Sequence, residues 1–323
     1  MGRDAISGRR TGDMGACGDG ATVQDLARMG RFRFLIAGAL CFVLGALLAL
    51  RWGAPGDPVR LLLGYAIFGC GHLSVHYSNE YFDREADRHG AAGAFSGGTG
   101  VLVARPELAP AARGIALCLI AVSLSLALLF QALYRPDPWF LPFIAAGNLL
   151  GWYYSAPPLS FAYRGLGEVA TVAGAGFMMP ATGYLVAKGT LDPAFLLFCL
   201  PLLPLGYFFI LAVELPDMEA DRAGGKNTAV VRRGREAALR SIPAAALLST
   251  TLFLLPGLFW PDPAAAFLKV MAAASAIPLG AGVMARRSGA RDRHEAETRT
   301  RMLIASLVLF FLLSDIVLAA GLI

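Results

Sequence analysis

The chain has 323 residues, of which 56% are hydrophobic and 16% are charged, and its formal net charge is +5. Soluble domains average about 25% charged residues, so this composition argues against a soluble globular protein and indicates a membrane protein. The five cysteines form no C-x-x-C pair, which gives no indication of a zinc site or a redox pair.

The first 30 residues are polar, rich in glycine and arginine, and contain no apolar core of a signal peptide. They predict a disordered cytoplasmic tail over 1–30, followed by a membrane domain over 31–323. In that domain nine apolar stretches approach the ~20 residues that a helix needs to cross a bilayer. These stretches run over 32–50, 60–78, 113–133, 139–156, 168–187, 194–213, 242–260, 265–285 and 302–322. The sequence therefore predicts an all-α polytopic membrane protein with nine transmembrane helices.

The basic residues are distributed unequally between the two sides of the predicted membrane. With the N-terminus in the cytoplasm, 23 of the 28 Lys and Arg residues fall in cytoplasmic segments. This bias follows the positive-inside rule and predicts a multi-pass protein of the cytoplasmic membrane with its C-terminus outside. Because the positive charge is explained by topology, we expect no nucleic-acid partner.

One phrase occurs twice, after the second and after the sixth predicted helix. Residues 80–90 read EYFDREADRHG and residues 214–224 read ELPDMEADRAG, with seven identical positions. Both copies fall on the cytoplasmic side, four helices apart. The repetition predicts two related halves around a central cavity, with a site at their interface.

Each copy of the phrase places two Asp residues four positions apart, on one side of a helical turn. Asn79 adds a third oxygen to the first copy, whereas its counterpart in the second copy is Val213. Carboxylates crowded at about 4 Å repel by roughly 4 kcal/mol per pair at an effective dielectric near 20. A hard cation removes this repulsion, and Mg²⁺ prefers carboxylates, water and phosphate oxygens. The four carboxylates are Asp83, Asp87, Asp217 and Asp221.

Basic residues alternate with these acids and are candidates to hold an anionic ligand. A cation-bridged diphosphate would satisfy both sets of charges, because the metal neutralises the acids and the diphosphate neutralises the bases. The candidate diphosphate-binding residues are Arg84, Arg88, Arg222 and Lys226.

The stretches NEYFDREAD at 79–87 and DMEADRAGGKNT at 217–228 resemble the two Asp-rich motifs of the UbiA superfamily of intramembrane prenyltransferases. WYYSAPPL at 152–159, followed by YRGLGE at 163–168, resembles the family's Tyr-Ser-x-Pro-Pro loop. The resemblance implies a nine-helix enzyme that uses Mg²⁺ to transfer a polyprenyl group from its diphosphate to an aromatic acceptor. The prenyl chain would run between helices toward membrane lipid. The metal ligands that the resemblance implies are Asn79, Asp83, Asp87, Asp217 and Asp221, and the four Asp residues are the expected catalytic residues.

Other residues are expected at the substrates. Lys226 resembles the family's basic residue that contacts diphosphate, and Arg164 is a candidate to close the site from the opposite loop. Asn148 and Tyr154, near the end of the fourth predicted helix, are candidates for substrate contact, although a Tyr here also suits a membrane interface.

His72 and His76 lie four residues apart on the second predicted helix. We expect them as packed polar residues, and a two-His metal site or a place in the lining of the acceptor chamber are the alternatives. Asp315, inside the ninth predicted span, is a site hypothesis with no partner to name.

The acceptor is indicated by FSGGTGVL at 95–102, which resembles a segment of the 1,4-dihydroxy-2-naphthoate branch that makes menaquinone precursors. Alternative acceptors in the same family are 4-hydroxybenzoate, homogentisate, chlorophyllide and a glycerol lipid. From a different class, a cation-coupled transporter also carries acidic repeats, but its sites lie at the membrane midplane rather than at helix ends. Val213 also leaves open an inactive family member that scaffolds other enzymes.

Overall fold

The computed structural model of the chain describes residues 15–90, 93, 97–259 and 266–322. Every regular element within these ranges is helical, which confirms the predicted all-α class. The first half contains α1 Gly15–Met29, α2 Phe32–Arg51, α3 Pro58–Asp83, α4 Val101–Ala104, α5 Ala109–Tyr134 and α6 Phe140–Trp152. The second half contains α7 Gly167–Thr171, α8 Met179–Lys188, α9 Pro193–Cys199, α10 Leu202–Glu214, α11 Met218–Ala223, α12 Ala229–Arg233, α13 Arg235–Phe259, α14 Ala266–Ala274, α15 Ala276–Ser288 and α16 Arg293–Ala320. Short 3₁₀ turns occupy Ala86–His89, Pro106–Leu108 and Phe161–Tyr163, and a π-helix occupies Val172–Met178.

Eight helical segments in the described part of the chain are long and apolar enough to cross a membrane. They are Phe32–Arg51, Pro58–Asp83, Pro106–Tyr134, Gly167–Lys188, Pro193–Glu214, Arg235–Pro256, Ala266–Ser288 and Arg293–Ala320. The remaining predicted span, 139–156, contains the apolar helix α6, which has 13 residues and is therefore about 20 Å long. Each of the nine predicted apolar stretches thus contains helix, and eight of them reach the length of a full span.

The prediction that residues 1–30 are disordered is wrong for α1. Met29, the last residue of α1, is fully buried, and the Tyr77 hydroxyl on α3 donates a hydrogen bond to the Leu26 carbonyl at 3.1 Å. Leu26 and Met29 are three residues apart, so they share the helix face that docks on α3. The polar composition of the tail hid this short apolar pattern; residues 1–14 lie outside the described residues.

The two halves meet where α2 of the first half packs against α8 of the second. A Cβ atom at Gly45 would lie 1.8 Å from the Pro180 carbonyl oxygen, and one at Gly183 would lie 1.9 Å from the Phe42 carbonyl oxygen. Only glycine permits such close backbone approach, which is the usual basis of helix packing in membranes. These contacts bring equivalent helices of the two halves together at the centre of the molecule.

The first phrase is positioned by α3. The Asp57 carboxylate caps α3 by accepting hydrogen bonds from the backbone N–H groups of Val59 at 3.0 Å and Arg60 at 3.1 Å, and Pro58 occupies the first turn. From this start α3 runs 26 residues to Asp83, so the acidic phrase stands at its end. A rigid helix therefore sets the position of the first acidic pair.

The π-helix between α7 and α8 shapes the wall of the central cavity. A Cβ atom at Gly176 would lie 3.0 Å from the Leu202 carbonyl oxygen, so this segment packs tightly on α10. Gly174, Ala175 and Met178 from the same segment line the cavity. Single π turns are often found at functional sites because they displace residues from a regular helical face.

Candidate active site

A cavity of about 390 Å³ lies between the helices, and both acidic phrases line it. Most of its wall is apolar and is formed by α2, α3, α6, the π-helix, α10 and α16. The polar residues concentrate at the end formed by the two phrases. The side chains brought together there are Asn79, Asp83 and Asp87 from the first half and Asp217, Asp221 and Lys226 from the second.

The two phrases pack on each other reciprocally. A Cβ atom at Gly224 would lie 2.5 Å from the Cβ of Ala86, and one at Gly90 would lie 3.2 Å from the Cβ of Ala220. Gly90 is the counterpart of Gly224, and Ala86 is the counterpart of Ala220. The contact therefore has the form of an isologous interface, in which each partner offers the same surface. This geometry confirms two related halves around a central cavity.

Lys226 links the acids of the two halves. Its ammonium nitrogen lies 3.0 Å from Asp83 Oδ2 and 3.6 Å from Asp221 Oδ1. Burial alone lowers the pKa of Lys226, but the carboxylates of Asp83, Asp221 and Asp87 outweigh burial and raise this pKa well above its usual value. The Tyr163 hydroxyl donates a second hydrogen bond to Asp83, at 2.9 Å from Oδ1. Lys226 is therefore a fixed positive charge among the carboxylates.

The other carboxylates are buried at the same end of the cavity. Burial raises the pKa of Asp87 to about 7 and that of Asp221 to about 6, although nearby Lys226 opposes both shifts. Burial also raises the pKa of Asp217, against a hydrogen bond that the Gly97 backbone N–H donates to its carboxylate. These shifts mean that burial disfavours the ionised forms more than nearby Lys226 favours them. A cation at this position would stabilise the ionised forms.

Arg31 belongs to this end of the cavity, and sequence reasoning missed it. The Arg31 guanidinium pairs with Glu80 at 2.8 Å and also donates to the Gly97 carbonyl oxygen. Glu80 further accepts from the Thr99 backbone N–H at 2.8 Å and from the Thr99 hydroxyl at 2.7 Å. Because Gly97 also donates to Asp217, this network joins the start of α2 to both phrases. In the sequence, Arg31 is one of many cytoplasmic basic residues, and nothing local distinguishes it.

Two basic residues of the first phrase do not reach the cavity, contrary to prediction. Arg84 donates to the Tyr81 carbonyl oxygen at 2.6 Å, and its guanidinium lies over the Tyr81 ring at 4.7 Å. Arg88 is exposed and pairs with Glu85 at 2.8 Å. Successive residues on a helix point about 100° apart, so Arg84 is turned away from the direction of Asp83.

Two further predicted contacts are also absent from the cavity wall. Arg222 is exposed and donates to the Val231 carbonyl oxygen at 3.1 Å. Arg164 is exposed as well, whereas its neighbour Tyr163 contacts Asp83. The 163–168 loop therefore does reach the acidic cluster, but through its tyrosine rather than its arginine.

The second phrase differs from the first at the position where their sequences differ. Val213 and Glu214 both line the cavity, so an apolar side chain stands where the first phrase has Asn79. Glu214 is buried, and within the described residues it forms no ion pair, whereas Glu80 in the equivalent position pairs with Arg31. The second copy therefore offers a buried carboxylate but no amide oxygen at this level.

The remaining predicted residues fall in two groups. Asn148 and Tyr154 both line the cavity, and Asn148 Nδ2 donates to the Ile144 carbonyl oxygen at 2.9 Å. Asp315 is buried but is absent from the cavity wall. In the predicted acceptor segment at 95–102, residues 95 and 96 lie outside the described residues.

The chemistry of the acidic end fits Mg²⁺. Its candidate ligands are all oxygens, and among the residues that the structure describes Asn79 Oδ1 has no hydrogen-bond partner. In the described part of the chain, no three His, Cys, Asp or Glu side chains converge into a complete protein-only metal site. Mg²⁺ typically takes one or two carboxylates and completes its shell with water and substrate phosphate. Separated carboxylates facing a common cavity suit this mode of binding.

Comparison with known proteins agrees with this geometry. The profile of the UbiA prenyltransferase family matches residues 39–314. The chain is also 25% identical over 239 residues to the 1,4-dihydroxy-2-naphthoate octaprenyltransferase of Bacillus subtilis (strain 168), which covers 70% of this chain and 74% of that protein.

Solved structures share the fold at low sequence identity. A UbiA homolog from Archaeoglobus fulgidus bound to DMAPP and Mg²⁺ matches with a TM-score of 0.61 and 17% identity, over 89% of this chain and 99% of that one. The apo structure of a UbiA homolog from Aeropyrum pernix K1 matches with a TM-score of 0.63 and 16% identity, over 88% and 96% of the two chains.

Proposed function

This chain belongs to the UbiA prenyltransferase family and is a prenyltransferase, and we propose that it transfers a polyprenyl group from its diphosphate to 1,4-dihydroxy-2-naphthoate in menaquinone biosynthesis. One observation carries the transfer chemistry: four Asp residues and Lys226 meet at one end of an otherwise apolar cavity. The naphthoate acceptor is supported by the relative from Bacillus subtilis, which bears that activity in its name. Family membership also rules out the transporter alternative.

The acidic end would hold the diphosphate. Mg²⁺ bound by Asn79 and the four Asp residues would neutralise charge on the leaving group. Lys226 would donate hydrogen bonds from its ammonium to the diphosphate oxygens as the carbon–oxygen bond breaks. Arg31, held by Glu80 beside Gly97, adds a second positive charge to this end. The remaining predicted bases are turned away, so these two cations are the ones that we assign to the diphosphate.

The apolar wall would protect the reactive intermediate. Loss of diphosphate leaves an allylic carbocation, which water would destroy, so the chamber must exclude water. An electron-rich carbon of the acceptor then attacks the cation and forms the new carbon–carbon bond. The ring becomes aromatic again when the attacked carbon loses its proton or, at the position that bears the carboxylate, carbon dioxide. The apolar side chains that form the chamber include Phe34, Phe143, Phe209, Ile210 and Phe311.

The membrane orientation remains part of the proposal. The excess of Lys and Arg in the predicted cytoplasmic segments supports a cytoplasmic N-terminus, cytoplasmic acidic phrases and an external C-terminus. Both substrates would then enter from the cytoplasmic side or from the adjoining lipid. We expect polyprenyl diphosphate and membrane lipid as partners, and no nucleic acid.

The test is a matrix of acceptors against prenyl diphosphates of several lengths, using purified protein in lipid nanodiscs and mass detection of products. We expect Mg²⁺-dependent prenylation of 1,4-dihydroxy-2-naphthoate and its loss after chelation of the metal. Prenylation of 4-hydroxybenzoate, homogentisate, chlorophyllide or a glycerol lipid instead would refute the acceptor and retain the transfer. Absence of diphosphate release with every pair would refute the proposed reaction.

A further inference from the structure

A polar stripe on α3 extends beyond the acidic end into the apolar part of the cavity. His72, His76, Asn79 and Asp83 fall at helical spacings of four, three and four residues, and all four line the cavity. At 1.5 Å per residue, His76 lies about 10 Å and His72 about 16 Å along α3 from Asp83. Both histidines are therefore too deep to hold the diphosphate, and the proposed departure of diphosphate does not use them.

The two histidines belong to a row of neighbouring rings that are tilted relative to one another. Ring centroids are 5.5 Å apart between Phe68 and His72, 5.3 Å between His72 and His76, and 5.6 Å between His76 and Phe34. His72 packs against α2, where a Cβ atom at Gly38 would lie 2.4 Å from its ring. The ring row is consequently fixed in place, and it forms one wall of the cavity.

Several polar side-chain atoms of residues on this wall make no hydrogen bond within the described residues. Within the described residues, His72 Nδ1 and His76 Nε2 have no hydrogen-bond partner, and His72 Nδ1 lies against Gly38 of α2. Asn148 Oδ1 also lacks a partner, and it lies 3.2 Å from where a Cβ at Gly71 would stand, which puts Asn148 at the level of His72. Buried polar groups are nearly always satisfied, so unpartnered atoms on residues that line a cavity, such as His76 and Asn148, point to a ligand that supplies the missing partner.

We propose that His72 and His76, with Asn148 beside Gly71 on the same helix, recognise the hydroxyl groups of the aromatic acceptor. This inference rests on the proposed prenyl transfer. A prenyl chain is hydrocarbon and cannot hydrogen-bond, so this wall does not suit it. A hydroxylated aromatic ring supplies both a donor and acceptor group and a flat face or edge that packs against neighbouring rings. The prenyl chain would instead follow the apolar wall opposite, which is lined by Leu205, Phe209, Ile210, Leu307 and Phe311.

The depth of the two histidines distinguishes their roles. His76 lies nearer to the diphosphate end, where the carbon–carbon bond forms, so it would contact the hydroxyl adjacent to the reacting carbon. His72 lies about 6 Å deeper along the helix and would contact the far side of the ring. We therefore expect substitution of His76 to affect acceptor use more than substitution of His72.

The experiment measures steady-state constants for acceptor and donor separately in His76→Leu, His72→Leu and His76→Gln. His294→Leu is the matched control, because His294 is exposed at the start of α16 and is absent from the cavity wall. We expect the acceptor KM to rise about tenfold in His76→Leu and about fivefold in His72→Leu, as for loss of one hydrogen bond. The KM for prenyl diphosphate should stay within twofold, and His76→Gln should recover part of the acceptor affinity.

Binding of 1,4-dihydroxynaphthalene and of its dimethoxy ether, measured without a prenyl donor, separates this inference from the transfer reaction. The wild type should bind the diol more tightly than the ether, and His76→Leu should abolish the difference. Equal binding of both probes by the wild type, or no binding of the diol, would overturn the inference while leaving transfer to be judged from product formation. A raised donor KM with an unchanged acceptor KM would assign the histidines to the prenyl channel and overturn it as well.

Discussion

The two acidic phrases share seven residues but differ in what holds them. In the first copy, Glu80 is paired with Arg31 and bonded to Thr99. In the second copy, the equivalent Glu214 is buried, and the described residues give it no ion pair. The same residue type is therefore held by an ion pair in one half, whereas in the other half the described residues give it none.

The first Asp residues of the two phrases, Asp83 and Asp217, are alike in one respect. Each is held by a residue of the other half. Asp83 of the first half is paired with Lys226 of the second, and Asp217 of the second half accepts a hydrogen bond from Gly97 of the first. The site is consequently assembled only when the halves are packed together. A substitution in one copy should therefore alter the positions of the candidate metal-binding side chains in the other.

The largest expected effect is at Asp83. We expect Asp83→Asn to lower the rate of transfer about 1000-fold, because it removes a proposed metal ligand and the charge that holds Lys226. Measured as product formed by purified protein, this loss should be accompanied by normal membrane insertion. The matched control is Glu85→Gln, two residues away, which removes an exposed carboxylate and should stay within twofold of wild type. Near-normal activity of Asp83→Asn would contradict the assigned metal site.

Lys226 should show the next largest effect, since it pairs with Asp83 of the first copy and Asp221 of the second. Lys226→Met is expected to raise the KM for prenyl diphosphate about 100-fold while changing the acceptor KM little, because a buried charge-assisted hydrogen bond is lost. Arg222→Gln is the control, because Arg222 points outward from the same segment. Equal effects of the two substitutions would mean that the direction of these side chains does not matter for the donor.

The reciprocal glycine contact offers a test of the interface itself. Gly224→Ala should destabilise the protein by about 1–3 kcal/mol, as expected for overpacking, because the new methyl meets the Cβ of Ala86 at 2.5 Å. Gly90→Ala should cost less, since its methyl meets Ala220 at 3.2 Å. Thermal unfolding in detergent checks the order, and addition of Ala86→Gly should recover part of the Gly224→Ala loss. A larger cost at Gly90 would contradict this packing.

The second Asp residues of the two phrases, Asp87 and Asp221, should make the metal affinity depend on pH in two separate steps. A raised pKa means that a carboxyl keeps its proton at a pH where an ordinary Asp has lost it, and a bound metal requires the ionised form. With pKa values of about 7 for Asp87 and about 6 for Asp221, Mg²⁺ affinity should be full above pH 7 and fall as pH drops through 7 and then 6.

This pH response is measured as the Mn²⁺ affinity of the purified protein between pH 5.5 and 8.5, with Mn²⁺ as a spectroscopic probe. We expect about a tenfold loss per pH unit just below 7 and a steeper loss below 6. Asp87→Asn should remove the upper step and leave the lower one. A pH-independent affinity over this range would contradict both assignments.

The smallest expected effect concerns the position where the two copies differ in sequence. Val213→Asn adds the missing amide oxygen and should change the Mg²⁺ concentration for half-maximal activity by no more than about threefold, since one ligand among several is gained. Asn79→Val, the reverse change in the first copy, should raise that concentration about tenfold. If both changes had equal effects, the two copies would contribute equally to the metal.

Much of the architecture is readable from the sequence, because apolar length and the repeated phrase are local signals. The spans and the packing of the two halves could be predicted without knowing which distant residues are in contact. Arg31 and Gly97 could not be found in this way, since they contact Glu80 and Asp217 at separations of 49 and 120 residues. The alternation of acidic and basic residues also led to the wrong prediction that Arg84 faces the ligand, because a charge pattern does not show which helix face borders the cavity.

The connection between α1 and α2 bears on how this protein should be handled. Arg31 adopts a left-handed backbone conformation there, with φ of 43°, and its side chain reaches Glu80. An affinity tag joined close to α1, or trimming of the chain to residue 31, would disturb the segment that holds Glu80 at the acidic end of the cavity. The other terminus is the better point of attachment, because α16 ends near Arg51, at the opposite end of α2 from Arg31.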